Sequence, residues 1–173
     1  MTTRLALSMA ACLSLLGAGC GNHDHSSTDG GAATCLGDPR AMAYAGGMSL
    51  TGKQGQFKVE LTSSAPAPPY KGDNTWMIKV TDAASGSGID GLQVSALPFM
   101  PDHNHPTPIK VVVTPMPQTA PGVYQLKPVN LFMAGVWETT ITMTRSDDTD
   151  MGGGDMAGAT KVDQVVFSFC IEG

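Results

Sequence analysis

The sequence predicts an all-β fold, an immunoglobulin-like antiparallel β-sandwich of about seven strands. Three observations lead to this prediction. Apolar and polar residues alternate with a period of two in several short segments, and clusters of Gly, Pro, Asp and Ser separate those segments. No segment shows the periodicity of an amphipathic helix. Many short strands with turn residues between them are typical of a sandwich, and 173 residues suffice for one domain with a substantial core.

Seven segments carry the strand pattern, either as an alternation of apolar and polar residues or as a β-branched run. In chain order they are Phe57 to Thr62, Trp76 to Thr81, Leu92 to Ala96, Ile109 to Thr114, Gly122 to Leu126, Trp137 to Thr144 and Val162 to Ile171. Ser63 to Pro69 contains three prolines, so we expect an extended loop or a sheet edge there. Ser146 to Ala159 is rich in Gly and Asp, which predicts a flexible hairpin insertion before the last strand.

The first nineteen residues are typical of an export signal. Arg4 precedes an apolar run from Leu5 to Leu16, and three small residues then lead directly to Cys20. Small residues before a cysteine resemble the lipobox of bacterial lipoproteins, although Gly17 stands where those proteins usually carry leucine. We therefore expect residues 1–19 to be removed and Cys20 to be acylated. The alternative is an ordinary soluble secreted protein that is cleaved near the same point.

Residues 20–34 are small and polar, which predicts a flexible tether that lifts the domain off a membrane. The sandwich domain is then expected over residues 35–173. With acylation, the domain would be anchored to the bacterial cell envelope and would face the periplasm. The apolar run near the N-terminus is shorter than the ~20 residues that a membrane-spanning helix needs.

Charge and cysteine content restrict the partners and the compartment. The formal net charge is −5, and Lys and Arg do not cluster, which argues against nucleic acid as a partner. Once Cys12 leaves with the signal and Cys20 is acylated, Cys35 and Cys170 remain. In an oxidising compartment two cysteines near the ends of a domain are most simply a disulfide. A dithiol metal site is the alternative.

All four histidines occur in two His-x-His triplets, His23/His25 and His103/His105. Imidazole is the commonest side-chain ligand for metals. Prolines flank the second triplet, and we expect an extended loop in which residues two apart turn both imidazoles towards one ion. Met100 lies just before this loop, and a thioether is a soft ligand that selects Cu(I), while imidazole serves Cu(I) and Cu(II) alike.

Part of the chain also carries a recognisable series of motifs between Asn74 and Met143. In order they are Asn74-Thr-Trp76 opening a strand that ends near Asp82, Met100-Pro-Asp-His103-Asn-His105, Pro121-Gly-Val-Tyr124, and Phe132-Met133-Ala-Gly135-Val-Trp137. This order resembles the YtkA-like domain, a family of small exported β-sandwiches that also includes FixH-type proteins associated with the assembly of copper oxidases.

The resemblance implies a metal-related role, most often with copper, and a partner such as a copper oxidase assembly protein or an efflux protein. It also implies that the turn carrying Met133 lies beside the histidine loop, so that Met100, His103, His105 and Met133 together make a Met2His2 set. Met116 is a spare candidate for a sulfur ligand. Trp137 and Tyr124 fit core positions, and Gly135 fits a bend before a strand.

Other interpretations of the same residues remain open. Met100 and Met133 would equally fill the rim of the sandwich, and His103 and His105 would equally be solvated surface. The domain would then be a structural or protein-interaction lipoprotein domain with no metal site. His23 and His25, together with Asp24, would form a low-affinity metal tag or have no role.

Three further patterns are weak. Gly47 to Lys53 matches the start of a phosphate-binding P-loop, but Gln54 follows where Ser or Thr is needed. Asp148 to Gly153 resembles the start of an EF-hand loop, but Ala159 stands where the bidentate Glu is required. The histidines are confined to the two triplets, and no nucleophile elbow accompanies them, so we do not expect an enzyme.

Overall fold

The computed structural model describes residues 35–146 and 160–173. Several predicted features lie outside the described residues. They are the signal peptide at 1–19, Cys20, the tether at 20–34 with its two histidines, and the EF-hand-like segment. Within the described ranges no helix is long and apolar enough to cross a membrane.

The described chain forms nine β-strands and one turn of 3-10 helix. The strands are β1 (Met48–Thr51), β2 (Phe57–Ala65), β3 (Gly72–Asp82), β4 (Gln93–Met100), β5 (His105–Pro106), β6 (Val112–Pro115), β7 (Val123–Leu131), β8 (Gly135–Arg145) and β9 (Lys161–Ile171). All seven predicted strands are present, and β1 and β5 are added to them. The predicted all-β sandwich class is therefore confirmed.

The strands build two antiparallel sheets. One sheet has the order β1-β2-β3-β7-β6 and the other β5-β4-β8-β9. Alternate residues of each strand face inward, and the core between the sheets is centred on Trp76, which contacts Phe167 and Phe169 edge to face. Trp137 and Tyr124 are both buried, as predicted.

Most strands extend beyond the predicted segments, and two further differences follow from the course of the chain. The strand predicted from the β-branched run begins only at Val112. The residues before Val112 cross from the sheet of β5 to the sheet of β6. In this crossing Thr107 donates a hydrogen bond from Oγ1 to Asn130 Oδ1, and the Ile109 N–H donates back to the same hydroxyl. The β2 strand continues to Ala65, so the prolines begin only where the strand ends.

A disulfide links Cys35 to Cys170, with Cα atoms 5.4 Å apart. The predicted pairing is confirmed, and the dithiol metal site is excluded because the two sulfurs are bonded to each other. The segment after Cys35 packs against β9. The Met42 N–H donates a hydrogen bond to the Ser168 carbonyl, and the Tyr44 ring packs edge-on against Phe169. The N-terminal segment of the domain is thereby fixed to the four-stranded sheet.

The P-loop-like segment forms β1 and the turn after it, and its backbone surrounds a carboxylate of this chain. Asp163 of β9 is buried and accepts backbone hydrogen bonds from Gln54, Gln56, Phe57 and Gln164. A Cβ on Gly52 would overlap that carboxylate. Burial raises the pKa of Asp163, but the amides outweigh burial and hold its pKa below the ordinary value.

Candidate metal centre

A tight turn between β4 and β5 carries His103 and His105. Pro101–His103 form a 3-10 turn, and Asn104 follows in the left-handed conformation with φ 53°. Proline suits the first position of a helical turn because no N–H is needed there, and asparagine tolerates the left-handed region. The expectation of an extended loop is therefore wrong, since this turn, and not an extended backbone, brings the histidines together.

The two imidazoles lie side by side. Their ring centroids are 5.7 Å apart and their planes cross at 70°. Two imidazoles bound to one ion through bonds of about 2.0 Å have centroids roughly 4.5 to 6.4 Å apart for bond angles between about 90° and 180°. The observed separation falls in this range, so the two rings are close enough for one ion to bind between them.

His105 is half-buried against aromatic rings, whereas His103 is exposed. Phe132 stacks on the His105 ring at 5.6 Å, and Trp137 meets it edge-on at 6.2 Å. His105 Nδ1 lies 3.1 Å from the Pro106 carbonyl oxygen. Because a carbonyl only accepts, this hydrogen bond needs a proton on Nδ1 and leaves the lone pair of Nε2 for an ion.

Met100 lies directly opposite His105 in the β4–β5 ladder, so the two side chains share one face of the sheet. Met100 is 1% exposed and belongs to the core. Its methyl group covers Gly135, where an added Cβ would overlap it. The thioether therefore lies in the interior, on the same face of the sheet as His105.

Met133 belongs to the turn between β7 and β8, and this turn lies beside the histidines. The neighbouring Phe132 stacks on His105. The carbonyl of Met133 accepts a hydrogen bond from Trp137 Nε1 at 3.0 Å. Met133 is half-buried and packs against the core. Met116 follows β6 in the other sheet, where Gln118 contacts its sulfur.

Asp102, which precedes His103 directly, is paired with Arg40, a residue that the sequence analysis did not single out. Arg40 binds Asp102 through two bonds, from Nη1 to Oδ1 at 2.7 Å and from Nη2 to Oδ2 at 3.0 Å. The same guanidinium binds Asp38. Hydrogen bonding from Arg40 is the largest cause that holds the pKa of Asp102 below its usual value. No local pattern could reveal a pair that is 62 residues apart.

Among the described residues, no three side chains of His, Cys, Asp and Glu are placed to hold a metal ion together. An ion at the histidine pair would therefore complete its ligands with sulfur or with atoms from outside this group. The predicted residues fall into two sets. The turn gathers His103 and His105 at the surface, with Met133 in the adjacent turn, while Met100 is buried in the core.

The fold and this centre define a small antiparallel β-sandwich with a histidine pair at one end of its four-stranded sheet. Residues 51–142, more than half of the chain, match the model of the YtkA-like family. The chain belongs to the YtkA-like family.

Two solved structures are similar to this chain. One is as-isolated FetP of uropathogenic E. coli strain F11, recombinantly expressed in the periplasm of E. coli, with a TM-score of 0.45 and 11% identity over 75% of this chain and 96% of FetP. The other is a copper-bound variant of FetP from the same strain, with a TM-score of 0.37 and 10% identity over 72% of this chain and 96% of that one. Both TM-scores lie below 0.5. No curated protein matches the chain.

Proposed function

We propose that this domain is a non-catalytic module that binds or delivers copper at His103 and His105. The observation that carries the proposal is the separation of 5.7 Å between the two imidazoles, which fits one shared ion. The His105 ring is held in place by its stack on Phe132 and by the hydrogen bond that leaves Nε2 free. A ligand fixed before binding loses less entropy when the ion arrives.

Sulfur completes the site in this proposal. Met133 supplies the first thioether, because it is half-buried in the turn whose Phe132 already contacts His105. Met100 supplies the second after its side chain leaves Gly135, since it lies across the ladder from His105. Imidazole and thioether together favour Cu(I) over the harder divalent ions.

The bacterial envelope, with the domain facing the periplasm, is the proposed location. The Cys35–Cys170 disulfide supports it, because disulfides persist in oxidising compartments. The predicted acylation of Cys20 would anchor the domain to the membrane. A copper oxidase assembly protein or an efflux protein would then receive the ion or donate it.

An anaerobic Cu(I) titration against a chromophoric chelator tests the proposal. We expect His103→Ala and His105→Ala each to weaken Cu(I) binding by roughly tenfold or more, and Met133→Leu to weaken it by less. Met77→Leu is the matched control, since Met77 lies on β3 of the other sheet with its sulfur near Gln125. Unchanged affinity in both histidine variants would remove the site.

A protein-interaction domain without a metal site is the second candidate, and a different surface favours it. Among the residues that the structure describes, Gln93 to Leu97 of β4 pair with β8 on one side only, because β5 reaches no further than Phe99. Leu97, Ile109 and Val112 are exposed beside this free edge, at 53%, 42% and 60%. If the chain takes up no copper, this apolar edge becomes the leading functional surface.

A further inference from the structure

Arg40 and Asp102 form a two-bond ion pair at the edge of the histidine turn. Their side chains are 40% and 47% exposed, so burial does not force them together. Asp38 holds the same guanidinium from a second direction. Both oxygens of Asp102 accept hydrogen bonds from Arg40, so the guanidinium fixes the direction of the carboxylate.

A free Asp102 would change the chemistry of the site. The carboxylate belongs to the same 3-10 turn as His103 and precedes it directly. Two imidazoles with one carboxylate are a common ligand set for Zn²⁺, and oxygen ligands favour divalent ions over Cu(I). The choice between soft and harder ions therefore depends on where this carboxylate points.

We infer that Arg40 determines the metal specificity of the site, because it holds Asp102 away from His103 and His105 and thereby disfavours Zn²⁺ and Cu²⁺ relative to Cu(I). This inference rests on the proposed function, in which the histidine pair binds the ion. Arg40 acts as a positioning residue, since it touches the carboxylate and not the metal.

Titration with Zn²⁺ against a chromophoric zinc chelator tests this role independently of copper. Arg40→Gln is expected to tighten Zn²⁺ binding by on the order of tenfold, because the freed carboxylate joins the two imidazoles. Arg40→Lys keeps the charge but loses the two-bond geometry, so an intermediate gain is expected. Thermal unfolding of each variant checks that the fold is retained.

The double variant Arg40→Gln/Asp102→Asn separates two explanations. If Arg40 acts by holding the carboxylate, the double variant returns to the Zn²⁺ affinity of the wild type. If the gain persists there, the guanidinium acts by simple repulsion of the cation, and the inference is wrong. It is equally wrong if Arg40→Gln binds Zn²⁺ no more tightly than the wild type.

The two proposals fail in different ways. Absence of Cu(I) binding by the wild type contradicts the proposed function, while the zinc series still measures the effect of Arg40. A zinc gain in Arg40→Gln that survives His103→Ala contradicts the inference, because the ion would then bind away from the histidine pair.

Discussion

His105 and Met100 face each other across the short β4–β5 ladder, with the imidazole at the surface and the thioether in the core. Trp137, also buried, meets the same imidazole edge-on. The candidate metal site is thus continuous with the packing of the four-stranded sheet. An ion bound at His105 is therefore expected to affect the packing of the core, and a substitution in the core is expected to affect ion binding.

Trp137 should report copper binding through its fluorescence. Its ring centroid is 6.2 Å from that of His105, whereas Trp76 lies at the centre of the core. We expect copper to quench the emission of the wild type and of Trp76→Phe, and to leave Trp137→Phe nearly unquenched. Quenching that persists in Trp137→Phe would mean that the ion binds elsewhere.

Copper should also stabilise the domain against unfolding. A ligand that binds only the folded state adds about 2.7 kcal/mol when its free concentration is 100 times Kd. We expect saturating Cu(I) to raise the Tm of the wild type and to leave the Tm of His103→Ala/His105→Ala unchanged, as followed by circular dichroism. An equal shift in both proteins would contradict the assignment of the site.

Gly135→Ala tests the contact beneath the site. Gly135 has φ +135°, and an added Cβ would overlap the Met100 methyl group, so we expect a loss of about 2–3 kcal/mol in urea unfolding. Gly72→Ala is the matched control. Gly72 also begins a strand with a positive φ of +105°, but nothing lies near its added Cβ. Equal losses in the two variants would show that Met100 does not fill this space.

Asp163 should make the stability of the domain depend on pH. Its pKa is below the ordinary value of 3.8 in the folded state, so its contribution is complete at neutral pH and is lost as the pH falls through the folded pKa. Asp163→Asn is expected to cost about 2–3 kcal/mol at pH 7. The difference between wild type and variant should shrink as the pH falls below about 5 and go on shrinking through the folded pKa of Asp163. A difference that stays constant over that range would contradict the hydrogen-bonded carboxylate.

The disulfide should contribute strongly to stability, because Cys35 and Cys170 are 135 residues apart. The chain-entropy model gives about 5 kcal/mol for a loop of this length. We expect a reductant to lower the denaturation midpoint of the wild type to that of Cys35→Ala/Cys170→Ala. The double variant itself should not respond to reductant, and a response there would point to another cause.

Period-two alternation and a β-branched run predicted seven of the nine strands in the described residues, because both are local signals that survive without knowledge of the fold. β1 and β5 were missed, since alternation over four or two residues cannot be distinguished from chance. The closeness of His103 and His105 was predicted for the wrong reason. The 3-10 turn and the left-handed Asn104 depend on how β5 pairs back onto β4.

The surroundings of the site were harder to predict. Methionine suits both a core and a copper site, so the sequence alone could not place Met100 in the interior. The pairing of Arg40 with Asp102 depends on the path that the disulfide imposes on the N-terminal segment. Long-range contacts of this kind have no local pattern.

X-ray absorption at the copper edge of the Cu(I)-loaded protein is the most direct measurement of the central claim. The account predicts imidazole nitrogen from His103 and His105 together with at least one sulfur, and a loss of sulfur scattering in Met133→Leu/Met100→Leu. A protein that takes up no Cu(I), or a copper spectrum unchanged in His103→Ala/His105→Ala, would contradict it.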